Sequence, residues 1–311
     1  MSHNVTSPQP LSADSSNTSS CLTLTKSLLP TTGQILTIDM LTQISFFIPG
    51  SRLWHRLRPL YAGSSAGFSM GSFETHVLKW HAPTILLVSG QRIPSQPQRG
   101  PERTFADSLP QRRYSTSAEA DEESSERLVF GVYLNVPWKL SHKECFGDVE
   151  TLLFQLEPVH EVFRASRTVH DYAHFNKNDG IAFGNQLPNQ SHGKYKVPLH
   201  STVGRHHHNL GPVSLTLDEG FEYGVFNHIS DGGAFFRSDT RHVEGDRVWQ
   251  DRFEIEEVEV WGLGGDKEAE EQRRQWAWEE KEALSRRSLN LGKDIEADRV
   301  GFSFFNGPGR L

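Results

Sequence analysis

The chain has 311 residues, 36% of them hydrophobic, and a formal net charge of −7. This length and apolar content allow one large domain together with unstructured segments. The acidic balance argues against a clustered basic surface, so we predict no direct contact with nucleic acid. No apolar run approaches the roughly 18 to 20 residues that a membrane-spanning helix needs. Two widely separated cysteines, Cys21 and Cys145, favour a reducing compartment. We therefore expect a cytoplasmic protein.

The first 35 residues are predicted to be disordered. Nine of the first 20 are serine or threonine, and such a segment buries too little apolar surface to offset its ordering entropy. Apolar clusters then appear between Leu36 and Leu60, which predict two short helices or a helix and a turn.

Residues 67–71, Gly-Phe-Ser-Met-Gly, have the spacing of the nucleophile elbow of α/β-hydrolases. That motif should follow a buried strand, whereas residues 63–66 are typical of a turn. Apolar residues at helical spacing come afterwards, at Phe73, Val77 and Trp80. We therefore interpret Ser69 or Ser72 as a helix N-cap. A serine hydrolase using Ser69 stays as the alternative function.

Two apolar runs, 84–88 and 128–136, are predicted to pair as a hairpin with Trp138 covering its end. The intervening residues 89–126 are rich in Gln, Arg, Pro and Ser and are predicted to form a long mobile loop. Shorter strand-like segments follow at 151–156, 180–184, 213–218 and 221–226. Residues 185–211 are predicted to be a second mobile loop. Many short strands with few helices between them indicate an antiparallel sheet or sandwich.

Residues 251–262, DRFEIEEVEVWG, predict the last strand of the domain, in the centre of a sheet. Apolar residues alternate with glutamates on either side of Glu256 and Glu257, which indicates one apolar and one acidic face. The two adjacent glutamates break the alternation. This pattern is typical of a β-bulge.

Six segments in this order resemble the TLDc domain: Phe130–Tyr133, Gly147–Asp148, Leu153–Leu156, Gly180–Gly184, Leu215–Asp218 and Val258–Trp261. Residues 67–74 and 264–299 are similar to a fungal branch of that family. The resemblance implies an α+β fold, a mainly antiparallel β-sandwich flanked by helices, with no established catalytic centre, cofactor or metal. It also implies resistance to oxidative damage and binding to the peripheral sector of the vacuolar proton-pumping ATPase, which would place the protein at the vacuolar membrane.

The domain organisation follows from this resemblance: a TLDc-like domain over 36–262, a charged helical extension over 263–299 and a tail over 300–311. The fungal relatives carry a substantial region before the domain and a further apolar helical segment after it. We therefore expect this sequence to be a shortened form.

Residues 266–288 predict a long exposed helix, because Glu270 and Arg274, and likewise Glu282 and Arg286, are spaced for ion pairs. We interpret its three large apolar residues as partner-binding; they are Trp276, Trp278 and Leu284. The alternative is that Trp276 packs on its own domain.

Three further groups have a functional and a structural interpretation, and for each we favour the structural one. The histidines could bind a metal or belong to a solvated loop; they are His192, His200 and His206–His208. Cys145 could be a reactive thiol favoured by His142 and Lys143, or a partly buried structural cysteine. Asp148 and Asp218 could act as an acid/base pair, or each could hold a turn.

Overall fold

The structure is a computed structural model that describes residues 33–48, 57–94, 100–110, 126–187, 210–229, 232–237, 248–264 and 266–303. It divides into two compact units, Met1–Gly264 and Gly265–Leu311. The helices are α1 (Ile38–Ser45), α2 (Gly63–Ala66), α3 (Met70–Val77) and α4 (Pro101–Ser108) in the first unit and α5 (Asp266–Ser303) in the second. The strands are β1 (Leu57–Ala62), β2 (Thr84–Arg92), β3 (Arg127–Leu134), β4 (Leu152–Glu157), β5 (Glu161–Ala165), β6 (Ala173–Asn176), β7 (Gly180–Phe183), β8 (Val213–Leu217), β9 (Tyr223–His228), β10 (Phe235–Arg237) and β11 (Trp249–Leu263).

The strands form one antiparallel sheet in the order β10-β5-β4-β3-β2-β11-β9-β8-β7-β6, and β1 also pairs with β11. The sheet curls until its two halves face each other. Phe163 in β5 and Phe226 in β9 have ring centroids 5.7 Å apart, although four strands separate β5 from β9 along the sheet. The predicted α+β fold with a mainly antiparallel sheet is confirmed.

The inner face of the curled sheet forms an aromatic core that α3 closes at one end. Phe73 of α3 is fully buried. Its ring lies 5.0 Å from the ring of Trp138 and 5.4 Å from that of Phe175. The indole N–H of Trp138 donates to the Thr84 hydroxyl at 2.8 Å, where β2 begins. This contact confirms the predicted role of Trp138 at the end of the β2–β3 hairpin.

The outer face is covered by α1. Thr37 caps this helix, since its hydroxyl accepts a hydrogen bond from the Met40 amide at 3.3 Å. Three buried residues of the helix pack with the outer side chains of β2, β3 and β4; they are Met40, Leu41 and Ile44. The helix predicted after Leu36 is confirmed, whereas residues from Leu57 onward form a strand. Residues 49–56 lie outside the described ranges. The disorder predicted for residues 1–35 is wrong at its end, because Ile35 is buried beneath this layer; residues 1–32 lie outside the described ranges.

β11 lies in the centre of the sheet, as predicted, and pairs with β1, β2 and β9. Against β2, Ile255 lies opposite Gly90 and Glu257 lies opposite Ser89, so Glu256 is the extra residue of a bulge. The predicted bulge is therefore confirmed. The prediction of an acidic outer face is only half right: Glu254 and Glu256 are exposed, but Glu257 and Glu259 are buried.

The stretch predicted to be a loop, 89–126, contains regular structure. β2 continues to Arg92, because it pairs with β11 as far as Phe253. Helix α4 follows, and its Phe105 ring stacks on Tyr223 with centroids 5.1 Å apart. The sequence did not predict this helix, because the segment is rich in Arg, Pro and Ser. The contact between Phe105 and Tyr223 stabilises it. Residues 95–99 and 111–125 lie outside the described ranges, as does most of the loop predicted over 185–211.

Replacing Phe73 by alanine should lower the free energy of unfolding by about 3 to 5 kcal/mol, because a fully buried aromatic ring is lost and a cavity remains. Urea denaturation of the full chain measures this change. Phe46→Ala is the matched control, since Phe46 is 84% exposed, and we expect a change within about 0.5 kcal/mol. Similar losses in both variants would contradict this account of the core.

Candidate functional site

Ser69 is the N-cap of α3. Its hydroxyl oxygen accepts a hydrogen bond from the Ser72 amide at 3.2 Å, and its side chain is exposed. Helix α2 stands between strand β1 and Gly67, which has a φ of 90°. A nucleophile elbow needs the serine at a sharp turn directly after a strand, so the geometry favours the cap interpretation.

Cys145 does not have the environment of a reactive thiol. Its pKa is raised to about 12, chiefly by burial and in addition by the charge of the Asp171 carboxylate and a hydrogen bond to it. The thiol lies 3.9 Å from the carbonyl oxygen of Asn185. A low pKa is what makes a cysteine nucleophilic. The partial burial of Cys145 and its raised pKa therefore favour the structural interpretation over a thiolate stabilised by His142 and Lys143.

Asp148 and Asp218 each hold a turn, as predicted. One carboxylate oxygen of Asp148 accepts a hydrogen bond from the Glu150 amide at 3.0 Å, and the other accepts from the Asn135 side chain at 2.9 Å. The Asp218 carboxylate accepts from the amides of Glu222 and Tyr223, at 2.8 Å and 3.0 Å.

Asp218 has a perturbed pKa. This pKa is raised from 3.8 to about 6, chiefly by burial. Hydrogen bonds from two backbone amides act against the rise, and the nearby Glu219 and Glu222 carboxylates contribute to it. A partly desolvated carboxylate with a perturbed pKa is a feature of binding sites as well as of turns.

The predicted histidine group, His192, His200 and His206–His208, lies outside the described ranges. Within those ranges, no group of three or more His, Cys, Asp or Glu side chains could hold a metal ion.

Helix α5 carries the three residues predicted to bind a partner. Trp276, Trp278 and Leu284 are 37%, 64% and 60% exposed. The two predicted ion pairs are present, Glu270 with Arg274 and Glu282 with Arg286. Trp276 and Leu284 lie roughly 80° apart around the helix axis, with Trp278 on another side. The helix therefore exposes large apolar side chains in more than one direction.

The sequence did not predict that two carboxylates of β11 are buried. Glu259 accepts hydrogen bonds from three consecutive backbone amides, those of residues 34–36, and from the Trp261 indole. Glu257 accepts from the Ser64 amide at the start of α2 at 3.1 Å and from the Val258 amide at 3.0 Å. These bonds tie the segment before α1 and helix α2 to the central strand. The only signal in the sequence was the position of both glutamates after the bulge, and it does not reveal what covers them.

The curled antiparallel sheet, with its capping helices and bulged central strand, has the architecture implied by the TLDc resemblance. The sequence model of the TLDc domain matches residues 29–264. Since this match covers most of the chain, the chain belongs to the TLDc domain family.

Its relatives include fungal proteins named restriction of telomere capping protein 5. The chain is 48% identical over 277 residues to the protein of that name from Leptosphaeria maculans, covering 88% of this chain and 44% of the relative. It is 48% identical over 282 residues to that from Colletotrichum graminicola, with the same coverages of 88% and 44%. For the Komagataella phaffii protein the identity is 42% over 258 residues, covering 80% and 42%. The chain thus spans less than half the length of these curated relatives. Across the part of the chain that the structure describes, no helix is long and apolar enough to cross a membrane.

Replacing Glu259 by alanine should lower the free energy of unfolding by about 3 kcal/mol or more, because several buried amide groups lose a charged acceptor. Thermal or urea denaturation measures the change. The matched control is Glu256→Ala, which removes an exposed carboxylate three residues earlier, bonded to the Gln91 side chain; it should cost about 0.5 kcal/mol or less. Equal effects would rule out the proposed role of Glu259.

Replacing Asp218 by asparagine should make the protein less sensitive to pH. The pKa of Asp218 is higher in the folded chain, about 6, than its usual 3.8. The stability linked to its protonation is therefore fully present below about pH 4 and is lost as the pH rises through about 6. Asparagine can still accept the two amide hydrogen bonds but does not titrate. We expect the variant to gain up to about 3 kcal/mol relative to the wild type between pH 4 and pH 7.

Urea denaturation at several pH values measures the difference in unfolding free energy between the two proteins. All other titrating groups contribute equally to both proteins, so they cancel in this difference. A difference that stays constant from pH 4 to pH 7 would show that Asp218 titrates at its usual pKa.

Proposed function

We propose that this chain is a non-enzymatic interaction protein that regulates assembly of the vacuolar proton-pumping ATPase. The observation that carries the proposal is the TLDc domain match over residues 29–264. TLDc proteins are associated with binding to this pump and with its disassembly or inhibition, as the resemblance implies.

The environments of the candidate catalytic groups support a non-catalytic role. Ser69 caps a helix, and Cys145 has a pKa raised to about 12, which disfavours its thiolate. Asp148 and Asp218 hold separate turns. Ser69, Asp148 and Asp218 therefore each have a structural role in the fold.

Helix α5 supplies the contact surface in this proposal. Trp276, Trp278 and Leu284 are exposed on a helix that is otherwise strongly charged. Tryptophan is enriched among the few residues that dominate binding energy at protein interfaces. An exposed helix also suits binding in a groove of a partner. We therefore assign these three residues to contact with the peripheral sector of the pump.

Oxidative-stress resistance and the link to telomere capping are placed downstream of this interaction. The high pKa of Cys145 argues that resistance does not come from its thiol. The relatives' name refers to restriction of telomere capping, and the net charge of −7 disfavours a direct contact of this chain with DNA. The protein would be cytoplasmic and peripheral at the vacuolar membrane when it is bound to the pump.

Sedimentation of the purified 311-residue chain with vacuolar membranes that carry the assembled pump tests the proposal. We expect the chain to sediment with the membranes, to lower ATP hydrolysis and to release the peripheral sector. The double variant Trp276→Ala/Trp278→Ala should bind at least about tenfold more weakly, as expected for loss of two central aromatic contacts.

The matched control is Phe46→Ala, which removes another exposed aromatic side chain, in the first unit, and should bind like the wild type. Binding by the double variant at wild-type strength would exclude α5 as the contact. Failure of the wild-type chain to sediment, while a longer fungal relative does so in the same assay, would overturn the proposal for this chain.

A further inference from the structure

A cavity of about 700 Å³ lies within the first unit, between α4 and two turns of the sheet. One turn joins β6 to β7 and contributes Asn178 and Asp179. The other joins β8 to β9 and contributes Asp218, Glu219 and Glu222. This volume is within the range of about 300 to 1,000 Å³ that is typical of ligand-binding pockets in proteins.

The cavity combines an aromatic wall with acidic side chains. Phe105 and Tyr223 line it, with their rings nearly parallel at 21°. Four carboxylates line it as well, and none of the described residues that line it is a lysine or an arginine. The cavity is therefore complementary to a positively charged ligand that also has a flat or apolar part.

Helix α4 is fixed against the sheet, so the aromatic wall is a built feature. The Phe105 ring stacks on Tyr223. In addition, the buried guanidinium of Arg252 donates to the carbonyl oxygens of Ala106 and Pro110, at 3.4 Å and 3.0 Å. These contacts hold the last turn of α4 and the residues after it to the central strand.

The charges in the cavity repel one another. The pKa of Asp218 is raised to about 6, chiefly by burial, and the charges of Glu219 and Glu222 contribute to the rise. Burial also raises the pKa of Tyr223, followed by the carboxylates of Glu254, Glu102, Glu222 and Asp218. A bound cation would relieve this repulsion, because an opposite charge favours the ionised form of each carboxylate.

The arrangement suits an organic cation better than a metal ion. A metal needs several ligands that converge on one point about 2.0 to 2.6 Å away. Within the described ranges, no three acidic or histidine side chains are grouped in that way. A guanidinium group is planar, stacks on aromatic rings and forms paired hydrogen bonds with carboxylates.

We propose that this cavity binds an arginine side chain presented by a basic segment of a partner protein, with the guanidinium against Phe105 and Tyr223 and its N–H groups donating to the carboxylates of the β8–β9 turn. This inference does not rest on the proposed function, since every residue involved lies within residues 33–264 and none belongs to α5.

The test is titration of the full chain with the peptide acetyl-Gly-Arg-Gly-Arg-Gly-amide in isothermal calorimetry at fixed ionic strength. We expect saturable binding with one peptide per chain, and weaker binding of the same peptide with lysine in place of arginine, because lysine cannot stack or bond in pairs. The double variant Glu219→Gln/Glu222→Gln should lose at least about tenfold in affinity. Both side chains are exposed, so the fold should tolerate the change.

Two further variants separate the cavity from general surface charge. Thr104→Trp places a large ring at an exposed position that lines the cavity and should block binding by filling the space. Glu144→Gln removes an exposed carboxylate that does not line the cavity and should leave the affinity unchanged. No saturable binding of the arginine peptide would overturn the inference. So would equal weakening by Glu144→Gln, or equal binding of the lysine peptide.

Separate readouts distinguish this inference from the proposed function. The Trp276→Ala/Trp278→Ala variant should still bind the arginine peptide like the wild type. In sedimentation with pump-bearing membranes, the difference between this variant and the wild type reports on α5 alone. A chain that binds the pump but not the peptide would sink the cavity proposal only, and the reverse result would sink the pump proposal only.

Discussion

The structure depends on the way in which β11 keeps its apolar residues inward from Phe253 to Val260. Its bulge at Glu256 shifts the register by one residue, so Ile255 and Val258 both reach the inner core. The same shift directs Glu259 to the outer face, where residues 34–36 supply its hydrogen-bond donors. A buried carboxylate is tolerable only when such donors surround it. The segment before α1 is therefore part of the domain, because it covers this carboxylate and also supplies most of its hydrogen-bond donors.

Local patterns were sufficient to predict the features whose causes are local. Apolar runs over 84–88 and 128–136 identified the β2–β3 pair, and a break in alternation identified the bulge. The Ser69 cap and the turns at Asp148 and Asp218 follow from preferences of single residues. What the sequence did not reveal depends on contacts between distant segments. Helix α4 is held by Tyr223 and Arg252, more than 100 residues further along, and strands β1, β5, β6 and β10 are short segments that neighbouring strands stabilise.

The pKa values and the burial of charged side chains in the candidate sites also could not be predicted from the sequence. His142 and Lys143 are close to Cys145 in the sequence, which suggests a stabilised thiolate, but the fold buries the thiol and brings Asp171 to it, so its pKa rises. Glutamates in an alternating strand are expected to face solvent, because charged residues are seldom buried, yet Glu257 and Glu259 are 2% exposed. The pKa of a side chain and its burial are set by neighbours in space. The partner-binding role of Trp276, Trp278 and Leu284 stays a prediction, because it concerns a surface and its occupant together.

The acidic cavity could not be foreseen because its parts have separate local explanations. Asp218 is a turn residue by any sequence criterion, and one of its oxygens does accept the two amide hydrogen bonds of that turn. These bonds stabilise the ionised carboxylate but leave its charge uncancelled, and two more carboxylates follow within four residues. The curl of the sheet brings the β6–β7 turn and α4 beside these carboxylates, so that carboxylates and aromatic rings line the same cavity. A residue with a structural role can therefore contribute to recognition as well, since the backbone uses its hydrogen-bonding capacity while a ligand responds to its charge.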